Sequence, residues 1–202
     1  MVSVETLRVE NLVKTYGGLE AVKGISFSVQ PGSIFGLIGP NGAGKTATFN
    51  IVAGAEKPTS GDVFLNGENI TGLSSDKLYQ LGLVRTFQLS HEYPKMTSLE
   101  NLMVAASDQP GEKIFMNWLS PKTVASREKE VQERALDSLN FLGLSHVKNE
   151  LAGNLSGGQK KLLELGRTMM ADAKLILLDE PGAGVNPTLM QKIGDMIIDL
   201  NQ

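Results

Sequence analysis

Residues 39 to 46 read GPNGAGKT, and this stretch decides the fold. It fits the pattern G-x-x-x-x-G-K-[ST], and the chemistry of phosphate binding needs those residue types. Glycines let backbone N–H groups turn inward and form an anion-binding nest. The N-terminus of a following helix adds a favourable dipole. Lys45 can reach the β- and γ-phosphates, and the Thr46 hydroxyl can coordinate magnesium. The apolar run SIFGLIG (33–39) in front of the loop reads as a strand. The helix behind it is expected to start near Gly44, to carry Phe49, Ile51 and Val52 inward, and to end near Gly54. The loop alone is common to kinases, GTPases and motor ATPases.

The N-terminal part is rich in short β-type runs broken by glycine. LRVENLV (7–13), ISFSVQ (25–30) and GDVFLNG (61–67) read as strands, with Pro31-Gly32 and Asn66-Gly67 as turns. From about residue 94 to 155 the texture changes. Ser126 to Leu142 places Val131, Ala135, Leu139 and Leu142 at helical spacing between charged residues, which predicts a mainly helical subdomain. Asp108 to Lys122 has no clear period and is expected to be an irregular loop or short helix exposing Trp118. From Ser156 the α/β pattern returns. A helix runs to about Ala171, LILLD (175–179) reads as a fully apolar parallel strand, and Pro187 opens a last helix with Met190, Ile193, Ile197 and Leu200 on one face.

Two further motifs carry chemistry. LILLDEP (175–181) ends its strand in Asp179 and Glu180, and the C-terminal end of a parallel strand is where ligands bind. Asp179 is placed to hold a magnesium shell, and Glu180 to orient or activate the attacking water. A strand end capped by two solvated acids is the plain alternative. LSGGQ (155–159) places Ser156 as a helix N-cap before two glycines, so that backbone N–H groups at the helix start form a second anion site. A plain capped helix after a glycine turn is the alternative there. One domain does not need two such sites for one triphosphate, and a partner subunit's nucleotide is the economical occupant of the second.

Composition bounds the rest. With 202 residues, 41% hydrophobic and 20% charged, the chain has the material for one α/β domain with a small subdomain. A net charge of −3 with mixed signs does not suggest a nucleic-acid binder. The absence of cysteine excludes disulfides and thiolate metal sites. The N-terminus MVSVETLRVENL does not read as a secretory signal, and no apolar run approaches the roughly 20 residues that span a bilayer.

The phosphate loop, LSGGQ and LILLDEP, in that order over nearly the whole chain, resemble the ATP-binding subunit of an ABC transporter. The resemblance implies a P-loop NTPase core of α/β class with an N-terminal antiparallel β part, over residues 1–90 and 156–202, plus a helical subdomain at about 91–155. It implies ATP and magnesium as ligands, with Gly39, Pro40, Asn41, Gly42, Ala43, Gly44, Lys45, Thr46 and Ala47 around the phosphates. Tyr16 in KTYGG matches the family's adenine-stacking aromatic. Gln88 in RTFQ matches the glutamine that touches magnesium and the attacking water. Glu180 matches the catalytic base, and Thr46 and Asp179 the magnesium-holding pair. Ser156, Gly157, Gly158 and Gln159 match the signature that contacts the nucleotide of the opposite subunit, and Asn186 lies in the family's subunit-communicating loop.

The implied partners are a second ABC ATPase subunit, membrane permease subunits and, indirectly, a substrate-binding protein, with the chain peripheral at the cytoplasmic face of the membrane. A soluble mechanical ATPase of DNA repair or translation would be expected to carry a coiled-coil insertion or a tandem second ATPase domain. Two departures stand out. Ala47 replaces the family's usual Ser or Thr, which removes one hydroxyl contact, and no histidine follows Glu180 where the family has one. The second departure leads to the expectation of a domain lacking its C-terminal end, with a nucleotide-binding module of little turnover as one alternative. RTFQ…MTSLENLMVA, KKLLELGRTMM and DEPGAGVNP resemble ATPases of branched-chain amino acid importers, with urea and amide importers sharing much of the pattern.

Overall fold

The structure is a computed structural model that describes residues 5–86, 92–107 and 121–201. It divides into two units. The first comprises the chain up to Arg85, Lys174–Asp179 and the stretch from Gly194. The second comprises the chain from Thr86 to Ala173 and Glu180–Ile193.

In the first unit, β1 (Leu7–Tyr16) and β2 (Leu19–Val29) form a hairpin, closed where Tyr16 pairs with Leu19. β1 alternates, burying Leu7 and Val9. Asn11 then takes a left-handed φ of 46° where the β1–β2 and β1–β3 registers shift. That bulge re-aims the strand so that Leu12 also points inward, where it is fully buried. β3 (Ser60–Leu65) pairs antiparallel with β1, and β4 (Glu68–Asn69) returns on β3 through Asn66-Gly67. Both turn residues have positive φ, 49° and 85°, as a two-residue hairpin turn of this kind demands. The sheet order is β2-β1-β3-β4.

Helix α1 (Lys45–Val52) presents Ile51 and Val52 to this core, with Phe49 packed at its margin. A short α2 (Ser75–Gln80) adds Leu78. β5 (Leu83–Arg85) and β6 (Leu175–Leu177) pair in parallel.

Two expectations are corrected here. Residues 33–39 do not form a strand. No strand among the described residues pairs with them, and Ile38 is 93% exposed. An apolar run of this composition needs a neighbour on its edges and cover on its faces to become a strand. What holds it is local: Phe35 stacks on Phe27, the ring centroids 5.1 Å apart and the rings nearly parallel. The LILLD strand is parallel as expected but only half-buried at Leu175 and Ile176.

The second unit is helical. α3 (Ser98–Met103) starts at Thr97, whose side chain and that of Glu100 cap each other's backbone N–H. α4 (Pro121–Phe141) buries Val131, Ala135 and Leu139, and Leu142 is buried just beyond its end, as the period predicts. α5 (Gly157–Met170) crosses close to them, since a Cβ on Gly166 would lie 2.6 Å from the Leu142 side chain. α6 (Pro187–Leu200), whose first half belongs to the second unit and whose second half, from Gly194, belongs to the first, begins at the expected proline, but its buried face is narrower than the spacing suggested. Ile193 and Met196 are buried, whereas Met190 and Leu200 are exposed. The expected loop at 108–122, with Trp118, lies outside the described residues except for its last two, which open α4.

Candidate functional site

The phosphate loop is built by backbone geometry. Gly44 caps α1 with φ 82°, and a Cβ there would meet the Ala21 carbonyl oxygen at 2.3 Å. Only glycine fits both the left-handed dihedral and the close approach. The backbone N–H groups of Lys45, Thr46 and Ala47, in the first turn of α1, meet no acceptor among the described residues. Orphan donors at a helix N-terminus carry the positive end of the dipole, so the turn is ready for an anion. Pro40 closes the loop by accepting from the Ala43 N–H at 3.2 Å. The Lys45 ammonium donates to the carbonyls of Gly39 (2.7 Å) and Pro40 (2.8 Å), so the cation is held beside the same turn. Asn41, Gly42, Ala43 and the Thr46 side chain face solvent, and Thr48 anchors the helix by donating to Gly44 O.

Asp179 follows β6 by two residues, at the C-terminal end of the parallel pair. Its carboxylate accepts from Arg85 Nη2 at 2.8 Å. Arg85 Nη1 donates to Asn50 Oδ1 at 2.8 Å, and Asn50 Nδ2 donates to Glu56 Oε1 at 2.7 Å. The Tyr16 hydroxyl donates to the other oxygen of Glu56, and Lys14 pairs with it at 3.4 Å. These bonds hold the Glu56 carboxyl below its ordinary range, Tyr16 and then Asn50 being the main causes. The same bond raises the Tyr16 phenol. Tyr16 is 45% exposed at the end of β1, which leaves ring surface for stacking and does not fit a core aromatic. Glu180 takes a left-handed φ of 47°. That is uncommon for glutamate, and such outliers gather at functional sites.

In the second unit, Ser156 caps α5 as expected, and the cap is reciprocal. Ser156 Oγ accepts from the Gln159 N–H at 3.3 Å, while Gln159 Oε1 accepts from the Ser156 N–H at 2.9 Å. The Gln159 side chain is therefore turned onto its own helix start. The N–H groups of Gly157 and Gly158 meet no acceptor among the described residues, which leaves α5 a second anion-ready terminus. Asn186 caps α6, its Oδ1 accepting from the Leu189 N–H at 2.8 Å. Gln88 lies outside the described residues.

Sequence reasoning missed Arg85, Asn50 and Glu56. Each has a partner far off in the chain, 94 residues away for Arg85, 35 for Asn50 and 40 for Glu56, and no local pattern announces such contacts. The reciprocal cap was within reach, because S-x-x-Q is the capping-box spacing.

A glycine-shaped phosphate loop on an α/β core, with an acid at the end of a parallel strand, defines a P-loop nucleotide-binding protein. Comparisons with known proteins narrow the class. The ABC transporter family model matches residues 22–183. A probable branched-chain amino acid transport ATP-binding protein, LivG, of Archaeoglobus fulgidus is 42% identical over 203 residues, covering 98% of this chain and 76% of that protein. The high-affinity branched-chain amino acid transport ATP-binding protein LivG of Escherichia coli K12 is 37% identical over 194 residues, covering 96% and 76%. Among solved structures, the ADP conformation of MJ1267, an ATP-binding cassette of an ABC transporter, matches with a TM-score of 0.79 at 40% identity, covering 98% of this chain and 77% of that one. The chain belongs to the ABC transporter family, as an ATP-binding cassette of its ATP-hydrolysing kind. Cassettes of this family bind nucleotide. No helix among the described residues is long and apolar enough to cross a membrane.

Proposed function

We propose that this chain energises a membrane importer of branched-chain amino acids by binding and hydrolysing ATP with magnesium. The observation that carries the mechanism is the pair of anion-ready helix starts, α1 behind the phosphate loop and α5 behind Ser156. Each ATP is sandwiched between the phosphate loop of one subunit and the Ser156–Gln159 signature of a second, and Asn186 lies in the loop that carries the state of one site to the other. Binding closes the dimer and hydrolysis opens it, so the dimer is the bistable element. Permease subunits provide the path through the membrane, a substrate-binding protein delivers the cargo, and this chain sits peripherally at the cytoplasmic face.

Within the site, Tyr16 stacks on adenine and Lys45 pairs with the β/γ-phosphates. The α1 amides cradle the phosphate oxygens. The orphan donors of α1, the exposed Thr46 hydroxyl and the Asp179 carboxylate suit a magnesium nucleotide. Magnesium keeps water and phosphate oxygens and needs few protein ligands, so a site with no cluster of three acids or histidines among the described residues is compatible with it. Bound there, the metal would neutralise charge on the β/γ-oxygens. Glu180 accepts the proton of the attacking water and Gln88 orients it. Positioning and electrostatics supply most of the acceleration.

The substrate assignment is tested by uptake in cells of the source organism lacking this chain. Uptake of labelled leucine, isoleucine and valine should fall and return with the intact gene but not with Glu180→Gln. Unchanged amino acid uptake together with lost urea or amide uptake would replace the substrate.

A further inference from the structure

The bonds from Tyr16 through Glu56, Asn50 and Arg85 to Asp179 form a continuous polar chain inside the first unit. Its central link has a specific shape. Arg85 spreads its two terminal nitrogens between Asn50 Oδ1 and Asp179 Oδ2, both at 2.8 Å. Asn50 lies on α1 four residues after Thr46, so the two share a helix face. Arg85 ends β5, in register with Leu177 on β6, the strand that leads to Asp179. The Arg85 and Asp179 side chains are each 14% exposed. The Arg85 Nε–H is buried with no partner among the described residues, so its guanidinium is committed to these two acceptors.

We propose that Arg85 is a positioning residue for the magnesium site. It ties Asp179, through Asn50, to the helix that carries Thr46, and so sets the separation of the two metal-facing groups. The inference rests on the assignment of Thr46 and Asp179 to magnesium made above.

Two effects of Arg85 oppose each other. Its charge beside Asp179 weakens the attraction of that carboxylate for a cation. Its fixed geometry strengthens binding, because magnesium tolerates little departure from octahedral ligand placement. Both side chains are largely out of water, so the charge effect is not the small one of an exposed pair. Loss of a partner that orients a metal ligand costs about 10- to 100-fold in metal affinity. Arg85→Lys holds the first effect constant and removes the second. Lysine keeps the charge but not the planar fork, so it cannot span two acceptors in this way.

The test is the affinity of a fluorescent ATP analogue, measured in EDTA and across a magnesium titration. Arg85→Lys should raise the magnesium midpoint about tenfold, with metal-free affinity changed by less than about twofold. Asn50→Leu should move the midpoint in the same direction. The double variant should go no further than the larger single one, because both cut one bridge. Asn50→Leu carries the test alone if Arg85→Lys does not fold. A midpoint that stays or falls in the folded variants, while Asp179→Asn raises it, overturns the positioning role. A midpoint that Asp179→Asn leaves in place overturns the magnesium assignment itself.

Discussion

Ala47 is the residue where this cassette departs most clearly within its own phosphate loop. It sits in the first turn of α1, half-buried, with an N–H that meets no acceptor among the described residues. The backbone donor is therefore in place and a side-chain donor is missing. Ala47→Ser adds one neutral hydrogen bond to a phosphate oxygen, worth about 0.5–1.5 kcal/mol. Nucleotide affinity should rise about two- to tenfold, as read by equilibrium fluorescence titration, and an unchanged affinity would show that a hydroxyl at this position meets no phosphate oxygen. Glu56 offers a second test at the same scale. Its carboxyl is held low by Tyr16, then Asn50, with Lys14 contributing. A depressed folded value stabilises the protein above the unfolded value, near 4.3, and that contribution disappears as pH falls through the folded value. Glu56→Gln should therefore be less stable than the wild type at pH 7, with the gap closing below about pH 5 in urea titrations. A gap that does not change with pH would deny the charged role of Glu56.

At the scale of elements, what the sequence discloses depends on how local the determinant is. The Asn66-Gly67 hairpin, the Ser156 cap and the α4 stripe of Val131, Ala135 and Leu139 are written in adjacent residues or one helical period, and each is where the pattern puts it. Residues 33–39 show the converse. Their apolar composition says strand, but a strand exists only with a neighbour, and neighbours are set by tertiary structure. The exposed ends of α6 follow the same logic, since spacing marks a face without marking how much of it is covered. In the candidate site, the places of the loop glycines at a helix start and of Asp179 past a strand end were legible because local spacing fixes them. Arg85 was not, because its role is created by two partners distant in the chain.

Gly166 gives a sharp element-scale prediction. Alanine would gain about 1 kcal/mol in helix propensity. Its Cβ would meet Leu142 Cδ1 at 2.6 Å and Leu102 Cδ2 at 3.0 Å, and both leucines are fully buried. Overpacking costs about 1–3 kcal/mol, so Gly166→Ala should lower the melting temperature. A raised melting temperature would show that the two leucines can yield.

On the proposed mechanism, the whole chain is half of a machine. The phosphate loop and the Ser156 signature each present unpartnered amides at a helix start, one in each unit. A lone cassette has use for one such site per ATP. The second becomes intelligible when another subunit's γ-phosphate occupies it. Affinity for that partner should therefore depend on ATP, and it should persist when hydrolysis is blocked.

The most direct measurement is the molar mass of the Glu180→Gln protein in solution, by light scattering coupled to size exclusion, with and without saturating magnesium ATP. The expected result is a monomer without nucleotide and a mass twice as large with ATP, reverting to monomer when Ser156→Arg blocks the signature. A protein that binds ATP at the phosphate loop, keeps Glu180→Gln from turning it over, and still remains monomeric would contradict the composite site.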